Sequence, residues 1–185
     1  TLVKVTLEGE IVEDPAGYGI NRAGYVIHSA VHRARPDVAC VMHTHTVAGI
    51  AVSAQEAGLL PISQHAMRFT GSIAYHDYEG LALELDEQAL LTRDLGSHKA
   101  MILRNHGLLT CGASIPEAFD IMYYLERACQ TQISAMAGGA KLRIPAPAVA
   151  EKTAAQFRAL PYKPKQPEWK AMLRMLDKTE PTYKQ

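Results

Sequence analysis

Val38-Ala39-Cys40-Val41-Met42-His43-Thr44-His45 is the stretch on which the reading of this chain turns. From Val38 to His43 it is a compact β-prone run without the polar alternation of a half-exposed strand, the pattern of a strand buried on both faces. On its N-terminal side, Ala23 to Arg35 carries Val26, Ile27, Ala30, Val31 and Ala34 at helical spacing until Pro36 stops the pattern. On its C-terminal side, Thr46 to Gln55 returns to helical, small-residue spacing before Gly58. A doubly buried strand between two helices predicts an α/β architecture, and it places the histidine pair where the strand ends.

The flanking sequence extends this pattern. Residues 2 to 13 read as two short strands about a Glu8-Gly9 turn. Leu59 to Ile62 and Ser72 to Tyr78 are strand candidates, followed by a helix from Asp86 to Leu95 closed by Gly96, and by a buried strand from Lys99 to Arg104. Ser114-Ile115-Pro116-Glu117 combines a capping serine, a first-turn proline and a glutamate three positions on, which opens the clearest helix. Its apolar face runs through Ala118, Ile121, Met122, Leu125, Cys129, Ile133 and Met136 to Gly138-Gly139. The prolines at 145, 147, 161, 164 and 167 then argue against a further α/β layer, so residues 141–185 are expected to form a proline-rich tail with two short helices behind a domain spanning 1–140. Trp169, Met172, Leu173 and Leu176 in that tail could dock on the body or on a neighbouring subunit. No GxGxxG or GxxxxGK[ST] follows any strand, which excludes the usual dinucleotide and nucleotide phosphate cradles.

A chain of 185 residues, 48% hydrophobic, can bury one substantial core. Nineteen basic residues balance nineteen acidic ones, so no long-range field draws the protein to nucleic acid or to an anionic membrane. A small-molecule substrate is the expected partner. Cys40, Cys111 and Cys129 are odd in number and widely spaced, without CxxC, which fits a reducing, cytoplasmic compartment. The apolar runs fall short of a membrane span, and the N-terminus lacks the regions of a signal peptide.

The histidines carry the chemistry. Side chains two apart on a strand point to the same side, so the imidazoles of His43 and His45 can reach one metal ion. A third ligand has to come from another segment, and His106, in Arg104-Asn105-His106-Gly107 at the end of the next buried strand, is placed for it, with Gly107 allowing a tight turn. Three histidines with an open position are the usual ligand set of a metal that performs chemistry rather than stapling a fold. Taken alone, HxH also fits a merely polar strand end; the independent third histidine is what favours the metal. His28 and His32 share a helical face with nothing nearby to complete a site, and His76 and His98 read as surface or turn residues. His65, in Ser63-Gln64-His65, lies in a polar stretch from which a loop could return to the metal.

Three segments in order, Arg35-Pro36-Asp37-Val38-Ala39-Cys40-Val41-Met42-His43-Thr44-His45-Thr46, then Ala74-Tyr75-His76-Asp77-Tyr78-Glu79-Gly80, then Leu103-Arg104-Asn105-His106-Gly107-Leu108-Leu109-Thr110, resemble the class II aldolase/adducin domain, over nearly all of residues 1 to 140. The resemblance implies a three-layer α/β/α sandwich, a homotetramer with metal sites near subunit interfaces, and an N-terminal part of the domain lying outside this sequence. It matches the family's metal histidines to His43, His45 and His106, and puts His65 near an aldolase tyrosine that donates a proton. In the sugar-phosphate aldolases of the family, an acid/base glutamate sits four residues before a helical histidine resembling His28; here that position is Gly24. Around Asn21-Arg22-Ala23-Gly24-Tyr25 and Leu60-Pro61-Ile62-Ser63-Gln64 the chain looks more like the adducin branch and its bacterial relatives.

Together these readings predict a metal-dependent lyase acting on a small oxygenated carbon acid, by decarboxylation or aldol-type cleavage through a metal-stabilised enolate, with His65 as proton donor. Zinc is the first expectation for the divalent metal, with manganese and iron as alternatives, because imidazole suits all three. The competing functions are an adducin-like binding or scaffold domain without catalysis, and an iron-dependent oxygenase using the same histidines.

Overall fold

The computed structural model describes residues 2–78, 80, 85–160 and 167–184. Strands β1 (Lys4–Val5) and β2 (Ile11–Glu13) form a small antiparallel pair, turning through Gly9 with its positive φ of 90°. Helix α1 (Arg22–Ala34) starts where the Asn21 side chain accepts a hydrogen bond from the Gly24 N–H. It ends at Arg35, since the residue before a proline is steered away from helical ψ. The Arg35 guanidinium then pairs with Asp37 and donates to the Gly96 and His98 carbonyls, tying this corner to the loop before the later strands. Strand β3 (Cys40–Thr44) leads through the capping Thr46 into α2 (Val47–Ser53). After α3 (Gln64–Met67) come β4 (Ile73–His76), α4 (Leu85–Leu95), β5 (Ala100–Leu103), β6 (Gly107–Gly112) and the long α5 (Ile115–Met136). Ser114 caps α5 as its sequence predicts, its hydroxyl accepting from the Glu117 N–H.

The main sheet has the order β3-β6-β5-β4, antiparallel except for the β5–β4 pair. Every residue of β5 and β6 is buried, because helices cover both faces. The two-residue period divides these side chains between two cores. Met101, Leu103, Leu109 and Cys111 pack with Val26, Ile27, Ala30 and Val31 of α1 and with Leu91 and Leu95 of α4. Ala100, Ile102 and Leu108 pack on the opposite face with Val52 of α2 and with Ile121, Met122, Leu125 and Cys129 of α5. Each fully buried Leu or Ile contributes roughly 1.5–3 kcal/mol relative to exposure. The result is the three-layer α/β/α sandwich expected from the sequence.

Two local expectations are corrected. Leu59 to Ile62 is not a strand, because side chains have claimed its backbone donors. The Leu59 N–H donates to the Tyr75 hydroxyl at 3.0 Å and the Leu60 N–H to Gln132 Oε1 at 2.7 Å. Gln132, wholly buried on α5, in turn donates from Nε2 to the Gly58 carbonyl and to Gln55 Oε1. This fixes the segment across α5 instead of along a sheet edge. The second correction is β6, which the sequence reading passed over between Arg104 and Ser114. Asn105 takes the left-handed conformation, φ 55°, that reverses the chain, and the strand runs back antiparallel to β5, with Leu103 opposite Gly107.

In the tail, Pro147 and Pro167 open helices rather than break them, since a first-turn proline sacrifices no intrahelical donor. These are α6 (Pro147–Ala159) and α7 (Pro167–Thr179), followed by a 3₁₀ turn at Pro181–Lys184. Ala150 and Ala154 are buried, and Arg158 donates to the Thr70 carbonyl. The Trp169 ring lies 5.3 Å from that of Phe119 on α5, so the tail's aromatic anchor meets the body of its own chain. Pro161 and Pro164 lie outside the described residues, as does Glu79 of the second motif. Among the described residues no helix is long and apolar enough to cross a membrane, and all three cysteines are unpaired.

Candidate metal centre

His43 is held in the ladder of β3 opposite Leu109, and His45 lies just beyond the strand's end. His106 is the last residue of the turn between β5 and β6, its N–H donating to the Leu103 carbonyl at 3.1 Å. Because β3 and β6 are neighbours, that turn stands beside the end of β3. The approach is very close: a Cβ on Gly107 would lie 2.3 Å from the Thr44 carbonyl oxygen and 3.4 Å from the His45 ring. The role of Gly107 is therefore to admit the neighbouring backbone, while the turn itself is made by Asn105.

The three imidazoles converge. Ring centroids are 4.6 Å apart for His43 and His45, 4.7 Å for His43 and His106, and 4.7 Å for His45 and His106. One potential ligand atom from each lies within 4.8 Å of the others. The Nε2 atoms of His43 and His45 are 2.8 Å apart. Two nitrogens bound at roughly 2.0–2.1 Å to one ion are separated by about 2.9 Å at a right angle and about 3.3 Å at the tetrahedral angle, so a shared ion needs the pair to keep this spacing or open by about half an ångström.

The surroundings prepare His43 to be a ligand. Its Nδ1 lies 2.9 Å from the Leu108 carbonyl oxygen, which can only accept, so Nδ1 carries the proton and Nε2 presents its lone pair to the cluster. The His43 pKa is lowered to about 4, chiefly by burial, with the hydrogen bond to Leu108 opposing this and His106, His45 and His28 adding to it. Burial and then His45 and His76 likewise lower the pKa of His106. His43 and His106, both biased toward the neutral form, have the protonation state that metal binding needs. The donor set thus fits a divalent cation.

His65 is not brought to this cluster. It sits on α3 with its ring 5.0 Å from Tyr124 of α5, in T-shaped contact, beside the Arg68–Asp120 ion pair. His28 lies on the side of α1 that faces His43, with its own pKa lowered first by burial and then by His32. One turn earlier, Gly24 has room for a side chain: an added Cβ would meet only Asn21, at 3.7 Å. Sequence reasoning missed the Leu108 carbonyl, because it missed β6, and misplaced His76. That residue is 5% exposed, not a surface or turn residue, and its Nδ1 lies 2.8 Å from Asp94 Oδ2. No local spacing links two residues so far apart in the chain.

The relatives of the chain agree with this architecture. The family model of the class II aldolase and adducin N-terminal domain matches residues 1–133. A class 2 aldolase-type protein of Pseudomonas aeruginosa is 49% identical over all of this chain and 73% of its own length. Mouse alpha-adducin is 48% identical over 74% of the chain, which spans only 19% of that longer protein. Among solved structures, an aldolase II superfamily protein from Pseudomonas syringae superposes with a TM-score of 0.91 at 51% identity, covering 96% of this chain and 72% of the other. The L-fuculose 1-phosphate aldolase of Glaciozyma antarctica superposes with a TM-score of 0.70 at 30% identity, covering 82% of this chain and 58% of that enzyme. By its matching domain, its fold and its relatives, the chain belongs to the class II aldolase and adducin N-terminal domain family.

Proposed function

We propose that the chain is a metal-dependent carbon–carbon lyase acting on a small oxygenated carbon acid, with His43, His45 and His106 as the metal ligands. The observation that carries this reading is the convergence of three imidazoles, with Nε2 of His43 and of His45 only 2.8 Å apart. A divalent ion there, zinc first and manganese or iron as alternatives, would bind adjacent substrate oxygens and accept the electrons released as the bond breaks. The Leu108 carbonyl holds His43 in the ligating tautomer. Gly107 lets the β5–β6 turn bring His106 against the end of β3.

Within this reading, decarboxylation or an aldol cleavage with another base ranks above sugar-phosphate aldolase chemistry. Aldol cleavage needs a base to take a hydroxyl proton, and the first turn of α1 offers only Gly24 where the resemblance places a carboxylate. Loss of carbon dioxide from an ionised acid needs no such base. His65 packs on Tyr124 and is assigned no step within a single chain. The test is turnover by metal-loaded protein of β-keto and hydroxy-aromatic acids, alongside fuculose and rhamnulose phosphates. The reading expects an acid to be consumed; efficient cleavage of a sugar phosphate alone would overturn the ranking.

The 48% identity to mouse alpha-adducin favours a second reading, a binding domain that keeps the fold without the chemistry. Purified protein that takes up no divalent metal and turns over neither class of substrate would support it.

A further inference from the structure

His76 stands at the end of β4, 5% exposed, and its Nε2 is fully buried with no hydrogen-bond partner among the described residues. Its other nitrogen is firmly occupied: Nδ1 lies 2.8 Å from Asp94 Oδ2, while Asp94 Oδ1 accepts from Arg93 Nε and from a terminal nitrogen of the same guanidinium, at 2.9 and 2.8 Å. Burial works against the Asp94 carboxylate, but the hydrogen bonds from His76 and Arg93 leave its pKa lowered. Asp94 is therefore ionised and can only accept, so His76 Nδ1 carries a proton, and in that tautomer Nε2 is a lone-pair acceptor. A buried polar atom left in this state calls for an explanation. Nε2 belongs to a residue lining a cavity of about 10 Å³, room for one water, whose wall also includes Tyr78, His106 and the apolar side chains of Ile27, Leu91 and Leu103.

His106 differs from His43 in a way that this cavity accounts for. His43 has the Leu108 carbonyl to fix its tautomer, whereas His106 has no protein hydrogen-bond partner for its ring among the described residues. A metal-ligating imidazole ordinarily donates its second N–H to a carboxylate, a carbonyl or a water. We propose that the Asp94–His76 pair is the positioning device for His106, acting through one water in the shared cavity. The water accepts from the non-ligating N–H of His106 and donates to His76 Nε2, so the chain of hydrogen bonds runs from His106 through the water and His76 to Asp94, with Arg93 completing the carboxylate. Both imidazole N–H groups then have an acceptor and His76 Nε2 has a donor, while the other His106 nitrogen presents its lone pair to His43 and His45.

This inference rests on the metal reading for its purpose, but its test does not depend on metal. In apo protein with ¹⁵N-labelled histidine, the ring nitrogen shifts report the tautomer of each imidazole. The expected result is one tautomer for His106 in the wild type and a mixture in His76→Phe, which removes the acceptor and fills the cavity. The same loss is expected in Asp94→Asn, which keeps the His76 ring in place. His76→Gln, which retains an acceptor, should restore part of the preference. Zinc affinity, read by chelator competition, should fall on the order of 10–100-fold in the first two variants. An unchanged His106 tautomer in folded His76→Phe or Asp94→Asn overturns the proposal, even if zinc binds. Wild type that binds no zinc but shows the tautomer change overturns the metal reading and leaves the positioning role standing.

Discussion

The two segments that build the candidate centre reach it by different physical routes. The end of β3 delivers His43 and His45 by regular geometry, an extended strand whose alternate side chains share a side. The β5–β6 turn delivers His106 by exceptions, an Asn105 in left-handed conformation at φ 55° and a Gly107 whose missing Cβ leaves space for the Thr44 carbonyl. The first half of the site is therefore robust to most side-chain changes around it. The second depends on two backbone conditions that one added atom can break.

The largest expected effect away from the ligands is at Gly107. Gly107→Val drives its Cβ into the Thr44 carbonyl oxygen, well inside contact distance, so either β6 shifts from β3 or the turn rearranges. A loss of about 1–3 kcal/mol in denaturant unfolding is expected, together with weakened metal binding because His106 moves. Unchanged stability and affinity would show that the close approach is not required.

A pH titration separates the segments differently. The folded protein keeps His43 neutral, with its pKa lowered to about 4 from the ordinary 6.5, while the unfolded chain protonates it. Between those values the unfolded state binds more protons, so the apo protein loses stability as pH falls from about 6.5 to about 4 and regains it as pH rises. Thermal denaturation across that window should show a shallower decline in His43→Asn than in wild type. Equal slopes would mean that His43 is not held neutral by burial.

A smaller effect is expected in the turn. Asn105→Gly should be tolerated, whereas Asn105→Ala should cost about 1 kcal/mol, because alanine lacks the local hydrogen bonding that lets asparagine adopt positive φ. Equal stability of the two variants would contradict the strain argument. The smallest change is expected at His65: His65→Ala removes a ring contact with Tyr124, roughly 0.5–1.5 kcal/mol, and leaves metal content untouched. Loss of turnover at full stability would instead return His65 to the chemistry.

The same contrast explains what could be read from the residues. The β-prone run from Val38, the α1 stripe ending at Pro36 and the Ser114 cap are local patterns whose physics is complete within a few residues, and each matches the type of element found. The burial expected on both faces of the first does not hold, because β3 is an edge strand whose residues other than Val41 are only half-buried. The β6 strand was invisible because its start is set by a backbone dihedral at Asn105 and its burial by helices distant in sequence. Leu59 to Ile62 looked like a strand until Gln132 and Tyr75, far along the chain, took its donors. His76 is the same kind of case, since its burial and its pairing with Asp94 are tertiary facts.

Self-association is open to a direct check. Helix α7 buries no residue within one chain, and Met175 and Leu160 are 56% and 64% exposed. We expect sedimentation to show an oligomer, a tetramer by the family resemblance, and a concentration-independent monomer would contradict this.

The measurement that tests the centre most directly is metal stoichiometry after reconstitution, in wild type and in His43→Ala, His45→Ala and His106→Ala, with circular dichroism on the same samples. The account predicts about one divalent ion per wild-type chain, a marked loss in each variant, and unchanged secondary structure, because an open three-ligand site contributes function more than folding. Full metal content in all three variants would contradict it.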